Sequence, residues 1–179
     1  MFKRIQQLDD KIVDNIIKLR SPIKNKIMIA ASSAGNLGVI WFAITLPFLI
    51  YAPWRMTGVN IIVALGFTQL VCEVILKHIV KRERPSNRLS DSEQLIRRPK
   101  YYSFPSGHTS ASFCVVSVVI VRGTPLYAVL IILFCAIMIG LSRVYLRVHY
   151  LSDVLVGMIL GLICGAATVS VFNQAVGSF

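Results

Sequence analysis

The chain has 179 residues, of which 55% are hydrophobic and only 15% are charged, and its formal net charge is +11. Soluble domains are nearer about 45 to 50% apolar, so the composition excludes an ordinary soluble domain and indicates an integral-membrane protein. The positive charge is concentrated between the apolar stretches. This favours membrane lipids and phosphorylated lipids, and not nucleic acid, as partners.

The N-terminal segment carries apolar side chains at helical spacing, at Ile5, Leu8, Ile12, Ile16 and Leu19. The opposite face carries Lys3, Lys11, Asp14 and Lys18. This pattern predicts an amphipathic interfacial helix over residues 1–24 that lies along the membrane surface. A helix that caps the bundle from the aqueous side is the alternative.

Five apolar stretches follow the N-terminal segment. Since a hydrocarbon core of about 30 Å needs roughly 20 helical residues, the economical prediction is an all-α bundle of about five transmembrane helices. The predicted spans are residues 27–50, 58–80, 106–121, 125–143 and 152–173. No repeat or linker divides the chain, which predicts one integral-membrane domain over residues 1–179.

The four cysteines fall in four different apolar stretches, and the three histidines lack metal-site spacing among themselves. Thiols scattered in this way are more often small packing residues than ligands or disulfide partners. We therefore expect no disulfide framework, no metal site and no cofactor.

Glu73 and Lys77 lie near the end of the second predicted span, and Arg84 follows that span. On one continuous helix, Lys77 and Arg84 would project to the same side about 10 Å apart along the axis, where both could reach one phosphate. A carboxylate within a span is costly unless it is paired, so we expect Glu73 to pair with Lys77 and aim it. A water-exposed acid near the helix end is the alternative.

The third span opens with Pro105, Ser106, Gly107 and His108. Proline suits a first helical turn, and the free N–H groups at a helix start bind anions. A phosphate would fit there, close to the Ser106 hydroxyl and to His108. A simple turn and helix cap would explain this motif alone equally well.

A third polar cluster, Ser142-Arg143-x5-His149-x3-Asp153, lies between the last two spans. We expect His149 to be the nucleophile, with Asp153 accepting its Nδ1 proton. His108 would protonate the departing oxygen, and the cations Arg143, Lys77 and Arg84 would neutralise charge on the phosphoryl oxygens.

Three glycines at four-residue spacing, Gly157, Gly161 and Gly165, continue the side of the last span that begins with His149 and Asp153. Small residues at this spacing let another helix approach closely. We expect this stripe to pack inside the bundle. A dimer contact is the alternative, and the sequence leaves the oligomeric state open.

Together these motifs resemble the type 2 phosphatidic acid phosphatase superfamily. Its three-part signature is matched by Lys77, Arg84 and Pro85, by Pro105 to His108, and by Ser142, Arg143, His149 and Asp153. The resemblance covers residues 77–153 directly. It implies a metal-independent phosphatase that passes through a phosphohistidine at His149, with His108 as the acid and Asp153 as the orienting partner. Soluble haloperoxidases that bind vanadate share the signature, but the apolar spans argue against them.

The resemblance also implies lipid phosphates or diphosphates as substrates, including phosphatidate, phosphatidylglycerophosphate and undecaprenyl diphosphate. We expect undecaprenyl diphosphate, because Arg97, Arg98 and Lys100 offer charge for a second phosphate. The alternatives are a phosphatidylglycerophosphate or phosphatidate phosphatase and a lipid phosphotransferase. Intact His108, His149, Arg143 and Asp153 speak against a non-catalytic lipid-binding protein.

The side of the membrane that carries the site is a point of conflict. Of the 19 Lys and Arg residues, 17 fall on the predicted side of the three motifs, which by the positive-inside rule points to the cytoplasm. The family instead places its site on the extracytoplasmic face of the cell membrane. Three of the cations serve phosphate binding and distort the rule, so we expect the extracytoplasmic face.

Overall fold

A computed structural model describes residues 2–177 of the chain, and all of the regular secondary structure in this range is helical. The helices are α1 Phe2–Ile16, α2 Pro22–Ala34, α3 Val39–Ile50, α4 Arg55–Gln69, α5 Lys77–Val80, α6 Gly107–Val121, α7 Leu126–Tyr145 and α8 Leu151–Gly177. A π-helical segment, Leu70–Leu76, joins α4 to α5. Short turns and one long loop after α5 complete this part of the chain.

Three helical stretches within residues 2–177 are long and apolar enough to cross a membrane: Ala52–Val80, Leu126–Tyr145 and Leu151–Ala175. Helices α2 and α3 pass the same test together, although they are bent by 56°. The predicted all-α membrane fold is confirmed. The number of five spans stays a prediction, because α6 has only 15 residues.

Helix α6 is the central element of the bundle and contacts α4, α7 and α8. Twelve of its 15 residues are buried. A helix that is apolar on all sides belongs in the interior of a bundle, which explains why the α6 sequence shows no polar face. Its Val115 and Val118 pack in one core with Trp41, Ile61 and Ile139.

The glycine stripe of α8 lies directly against the α6 backbone of the same chain. A Cβ atom at Gly157, Gly161 or Gly165 would lie 2.7, 2.3 or 2.5 Å from the carbonyl oxygens of Ser106, Ser110 and Cys114, respectively. No larger residue fits at such distances. The stripe therefore packs inside the bundle, as the sequence predicted, and fixes α8 against the start of α6.

The predicted span 27–50 is divided into two helices, which the sequence analysis missed. The chain bends between α2 and α3, where Leu37 has a φ of 52° and Gly38 a φ of 71°. Glycine adopts this left-handed conformation without steric cost, and Gly35 and Gly38 also weaken the helix. As a result α2 lies against the C-terminal end of α7, where the Tyr145 hydroxyl donates to Asn25 at 2.7 Å.

Helix α1 is amphipathic. Its buried side contacts the start of α8 and the end of α7. Val13 and Ile16 are buried, and so is Asp9 at 3% exposure. The helix ends at Ile16, before the predicted boundary at residue 24, because a new helix begins at Pro22 with Ser21 as its N-cap. A buried aspartate was not part of the predicted pattern.

We expect Gly161→Val to destabilise the protein by about 3 kcal/mol, the upper end of the usual cost of overpacking, since its side chain meets backbone atoms of α6 that cannot move aside. The measurement is thermal unfolding in detergent, followed by tryptophan fluorescence. Gly66→Ala is the matched control, because a Cβ at Gly66 has no atom within 4 Å and alanine favours the helix by about 0.5 to 1 kcal/mol. An unchanged unfolding midpoint in Gly161→Val would show that α6 and α8 do not pack this closely.

Candidate active site

Six of the eight residues predicted for the site line one cavity of about 240 Å³: Lys77, Arg84, Gly107, His108, Arg143 and His149. We call it the His149 cavity. It lies where α5 and α7 end and α6 begins. The α2–α3 bend adds Gly35, Leu37 and Gly38, and the long loop adds Pro99 and Tyr101.

Lys77 and Arg84 reach this cavity by a route that differs from the prediction. Helix α5 ends at Val80, and Lys81 follows with a φ of 50° and donates to the Lys77 carbonyl at 3.2 Å. Arg84 is in extended conformation. The two cations therefore do not share a helical face, but the chain reversal after Val80 brings both to the same cavity.

The predicted pairing of Glu73 with Lys77 is confirmed. The Lys77 ammonium group donates to both carboxylate oxygens, at 2.6 and 2.5 Å. The same carboxylate lies against Gly107, where an added Cβ would be 1.9 Å from Glu73 Oε1. The signature glycine is thus required at this point, because the ion pair occupies the space of a side chain.

Arg84 is buried and directly adjoins His149. Its Nε donates to the Tyr101 carbonyl at 2.5 Å, and its Nη1 donates to the Val148 carbonyl at 2.8 Å and to His149 Nε2 at 2.9 Å. Burial lowers the pKa of Arg84 to about 10, against the opposing effect of Glu73 and Asp153. The guanidinium therefore stays charged at neutral pH.

The contact with Arg84 fixes the tautomer of His149. A guanidinium can only donate, so Nε2 accepts, and in the neutral ring the proton is on Nδ1. Burial lowers the pKa of His149 well below its usual value, and Arg84, Arg143 and Lys77 lower it further. The imidazole is therefore neutral at pH 7, and the one lone pair of Nε2 accepts from Arg84 at the edge of the cavity.

Asp153 lies behind His149 and does not line the cavity. Its Oδ2 is 3.7 Å from His149 Nδ1 and accepts from the Tyr150 backbone N–H at 2.9 Å. Its Oδ1 pairs with Arg82 at 2.6 Å. Sequence analysis missed Arg82, whose position between two signature residues carried no separate signal.

Two further residues that the sequence analysis missed hold the site from the α2 side. Arg143 Nη1 donates to the Ser32 hydroxyl, and His108 Nε2 lies 3.0 Å from Asn36 Oδ1. Gly35 packs so closely on His108 that a Cβ would be 2.8 Å from its ring. The polar and glycine residues that interrupt the first apolar stretch were the available signal.

Ser106 differs from the expectation. It is fully buried, but its hydroxyl pairs with the Thr109 hydroxyl at 2.9 Å, and its backbone N–H donates to the Asp153 carbonyl at 3.0 Å. It does not line the His149 cavity. Its contacts join the start of α6 to the start of α8, which is a role in positioning.

A second cavity of about 430 Å³ adjoins the first, and Pro99, His108 and Arg143 line both. We call it the basic cavity, because Arg97, Arg98 and Lys100 also line it. Arg98 is held by Asp91 at 2.8 Å, whereas Arg97 and Lys100 are exposed. His108 and Arg143 thus lie between the two cavities.

The arrangement suits attack on an anionic centre. A neutral imidazole, three buried cations and a second histidine surround one small volume, and such cations stabilise negative charge on phosphoryl oxygens. The first turn of α6 adds backbone N–H groups at a helix N-terminus, which bind anions. Within residues 2–177, no group of three His, Cys, Asp or Glu side chains is placed to hold a metal ion.

Comparison with known proteins gives a consistent result. Residues 57–176 match the model of the PAP2 superfamily. Phosphatidylglycerophosphatase B of Bacillus subtilis is 31% identical over 172 residues, which cover 89% of this chain and 80% of that protein. Undecaprenyl-diphosphatase of Sulfolobus acidocaldarius is 28% identical over 137 residues, or 76% and 65% of the two chains. The crystal structure of Aquifex aeolicus LpxE superposes with a TM-score of 0.79 at 26% identity, covering 91% of this chain and 95% of that one.

Gly107→Ala tests the contact between the glycine and the Glu73–Lys77 pair. The added methyl displaces the carboxylate, and we expect the catalytic rate to fall about 100-fold, as for other displacements of about 1 Å. Phosphate release from a lipid phosphate in detergent is the measurement. The double variant Glu73→Ala/Gly107→Ala should be no less active than Glu73→Ala alone. Additive losses would show that the two residues do not touch.

Proposed function

Because this chain belongs to the PAP2 superfamily, a family of lipid phosphatases, we propose that His149 carries out the reaction as a nucleophile and without a metal ion. The observation that carries the proposal is the neutral His149 ring, whose Nε2 faces a cavity lined by three cations. A neutral imidazole next to bound phosphate is the form that attacks phosphorus.

The reaction proceeds in two steps. A phosphoryl oxygen first takes the Arg84 Nη1–H from His149 Nε2, which frees the Nε2 lone pair. His149 Nε2 then forms a bond to phosphorus while the bond from phosphorus to the lipid oxygen breaks, and His108, protonated when the phosphate is bound, gives that oxygen its proton and becomes neutral. Water then attacks the phosphohistidine, His108 takes its proton, and inorganic phosphate leaves with His149 restored. Lys77, Arg84 and Arg143 neutralise the charge on the phosphoryl oxygens in both steps, the task that a metal ion performs in other phosphatases.

The preferred substrate class is a lipid diphosphate, with conversion of undecaprenyl diphosphate to undecaprenyl phosphate as the proposed reaction. Phosphoryl transfer runs roughly in line, so the leaving group departs on the side opposite His149. His108 lies on the path to the basic cavity, where Arg97 and Lys100 can pair with a second phosphate. A lipid monophosphate as leaving group carries its charge directly next to the transferred phosphoryl group. Phosphatidylglycerol, the leaving group from phosphatidylglycerophosphate, carries one phosphodiester charge beyond a glycerol unit, and diacylglycerol carries none.

Phosphatidylglycerophosphate is the second candidate substrate. The relative of that name, phosphatidylglycerophosphatase B, aligns with 89% of this chain. Phosphatidylglycerophosphate is also a lipid phosphate, and the His149 cavity can bind the phosphoryl group of this lipid or of undecaprenyl diphosphate. Only the use of the basic cavity separates them.

Purified protein in detergent with EDTA should release phosphate from undecaprenyl diphosphate at least about tenfold faster than from phosphatidylglycerophosphate or phosphatidate, a difference of about 1.4 kcal/mol. His149→Ala should be inactive on all three lipids. Loss of activity with EDTA, or activity in His149→Ala, would refute the proposed chemistry. A preference for phosphatidylglycerophosphate would leave the chemistry intact and assign the second substrate.

Variants of the basic cavity give the matched comparison for this assay. Arg97→Gln/Lys100→Gln should lower kcat/KM for the diphosphate about tenfold or more and leave the two monophosphates within about twofold. Lys81→Gln removes an exposed cation outside both cavities and should change neither. Equal losses on all three lipids would show that the basic cavity binds no second phosphate.

We place the site on the extracytoplasmic face of the cell membrane. The cations of the site bind phosphate and so carry little information on topology, although the charge bias opposes this placement. A single cysteine at Ser92, in the loop near Ser90, should react in intact cells with a membrane-impermeant thiol reagent. A cysteine at Arg55, at the opposite end of α4, should not. The reverse pattern would place the site in the cytoplasm.

A further inference from the structure

Arg82 connects three elements on the side of Asp153 that faces away from His149. Its Nη1 donates to Asp153 Oδ1 at 2.6 Å and to the Ser152 hydroxyl at 2.7 Å. Its guanidinium also lies 4.0 Å above the centre of the Tyr150 ring. Arg82 does not line the His149 cavity, so its contacts serve the residues that hold His149 and not the phosphate.

The second half of the Arg82 guanidinium is held by α1. Its Nη2 donates to Asp9 Oδ2 and to Gln6 Oε1, both at 2.7 Å. Asp9 in turn accepts from the Ser152 backbone N–H at 3.1 Å and from the Ser152 hydroxyl. Asp9 thus binds the first turn of α8, where negative charge is favourable at a helix N-terminus.

Burial gives these contacts their energetic importance. The side chain of Asp9 is 4% exposed, that of Asp153 is fully buried and that of Arg82 is 17% exposed. A buried carboxylate is stable only when it is paired, and an arginine fork can hold two carboxylates in fixed positions. Without Asp9, Arg82 would lose the partner that fixes its fork, and Asp153 would lose its fixed cation.

We propose that α1 is a working part of the catalytic site: Asp9 holds Arg82, and Arg82 holds Asp153, whose Oδ2 lies 3.7 Å from His149 Nδ1. This approach closes to a hydrogen bond that orients the His149 ring when substrate binds. Asp9 and Arg82 are positioning residues and touch no substrate. This inference rests on the proposed role of His149. It assigns α1 a function beyond contact with the membrane surface.

The neighbouring pair of Asp10 and Arg88 gives the matched comparison. It also joins α1 to the segment after α5, at 3.0 Å, but its side chains are 35% and 57% exposed. Exposed pairs contribute little, and this pair contacts neither Arg82 nor Asp153 directly. Asp10 also accepts from Gln6 Nε2 at 2.9 Å, so Arg88→Gln is the cleaner control of the two. A general role of α1 in holding the bundle together would involve both pairs, whereas a role in positioning involves Asp9 alone.

Asp9→Asn and Arg82→Gln should each lower kcat by about tenfold to 100-fold, the size of effect seen when outer partners of active-site ligands are removed, with KM within about twofold. The double variant should be no worse than Arg82→Gln alone. Arg82→Lys should recover part of kcat, since it keeps the charge but loses the fork. Asp10→Asn and Arg88→Gln should match the wild type.

Inhibition by two anions separates positioning from a loss of stability. Orthovanadate mimics the five-coordinate transition state and needs a correctly oriented His149, so its inhibition constant should rise about as much as kcat falls. Inorganic phosphate needs only the cavity cations, and its inhibition constant should stay within about twofold. If a variant is only less stable, its folded molecules should show the wild-type inhibition constants for both anions.

The inference is wrong if Asp9→Asn and Arg82→Lys, folded by size-exclusion chromatography, both keep wild-type kcat. Arg82→Lys retains the buried charge and therefore decides the matter if Asp9→Asn does not fold. His149→Ala is measured in parallel. Activity in His149→Ala would refute the proposed nucleophile, whereas an inactive His149→Ala beside a fully active Asp9→Asn would refute the role of α1 only.

Discussion

Positive charge buried around one small cavity is the constraint on which the rest of the structure depends. Lys77, Arg84 and Arg143 are each about 95% buried, and Glu73 is the one carboxylate that lines the cavity among the described residues. Buried like charges repel, and desolvation adds to the cost. Carbonyl oxygens, Ser32 and Glu73 offset part of this cost, and the proposed substrate phosphate would supply the remaining negative charge.

The helix packing serves to hold these charges together. The glycine contacts of α8 set the start of α6 beside the start of α8, and so bring His108 and Asp153 to one end of the bundle. The bend between α2 and α3 places Ser32 against Arg143 and Asn36 against His108. In a straight span these two residues would not both lie at the site. Irregular backbone at membrane depth is tolerated where it lines a polar cavity, and here it supports Arg143 and His108.

Much of the site follows from the sequence, because the cations, the glycine and the two histidines are short motifs at fixed spacing. The Glu73–Lys77 pair follows from helical periodicity. Other features depend on tertiary contacts. Helix α5 ends at Val80 because Lys81 has a left-handed backbone conformation. A lysine at this position gives no sequence signal for that conformation. Ser106 joins the start of α6 to the start of α8 and does not line the cavity. Arg82 and Asp9 are 73 positions apart, so no local sequence pattern could have paired these two residues.

The central claim is that His149 takes up the phosphoryl group, and covalent trapping tests it most directly. In His108→Ala, a radiolabelled aryl phosphate has a leaving group that needs no proton, while hydrolysis of the intermediate lacks its base. The protein should then accumulate acid-labile, alkali-stable label on the peptide that contains His149. Turnover of this substrate without covalent label, or label on any other residue, would contradict the account.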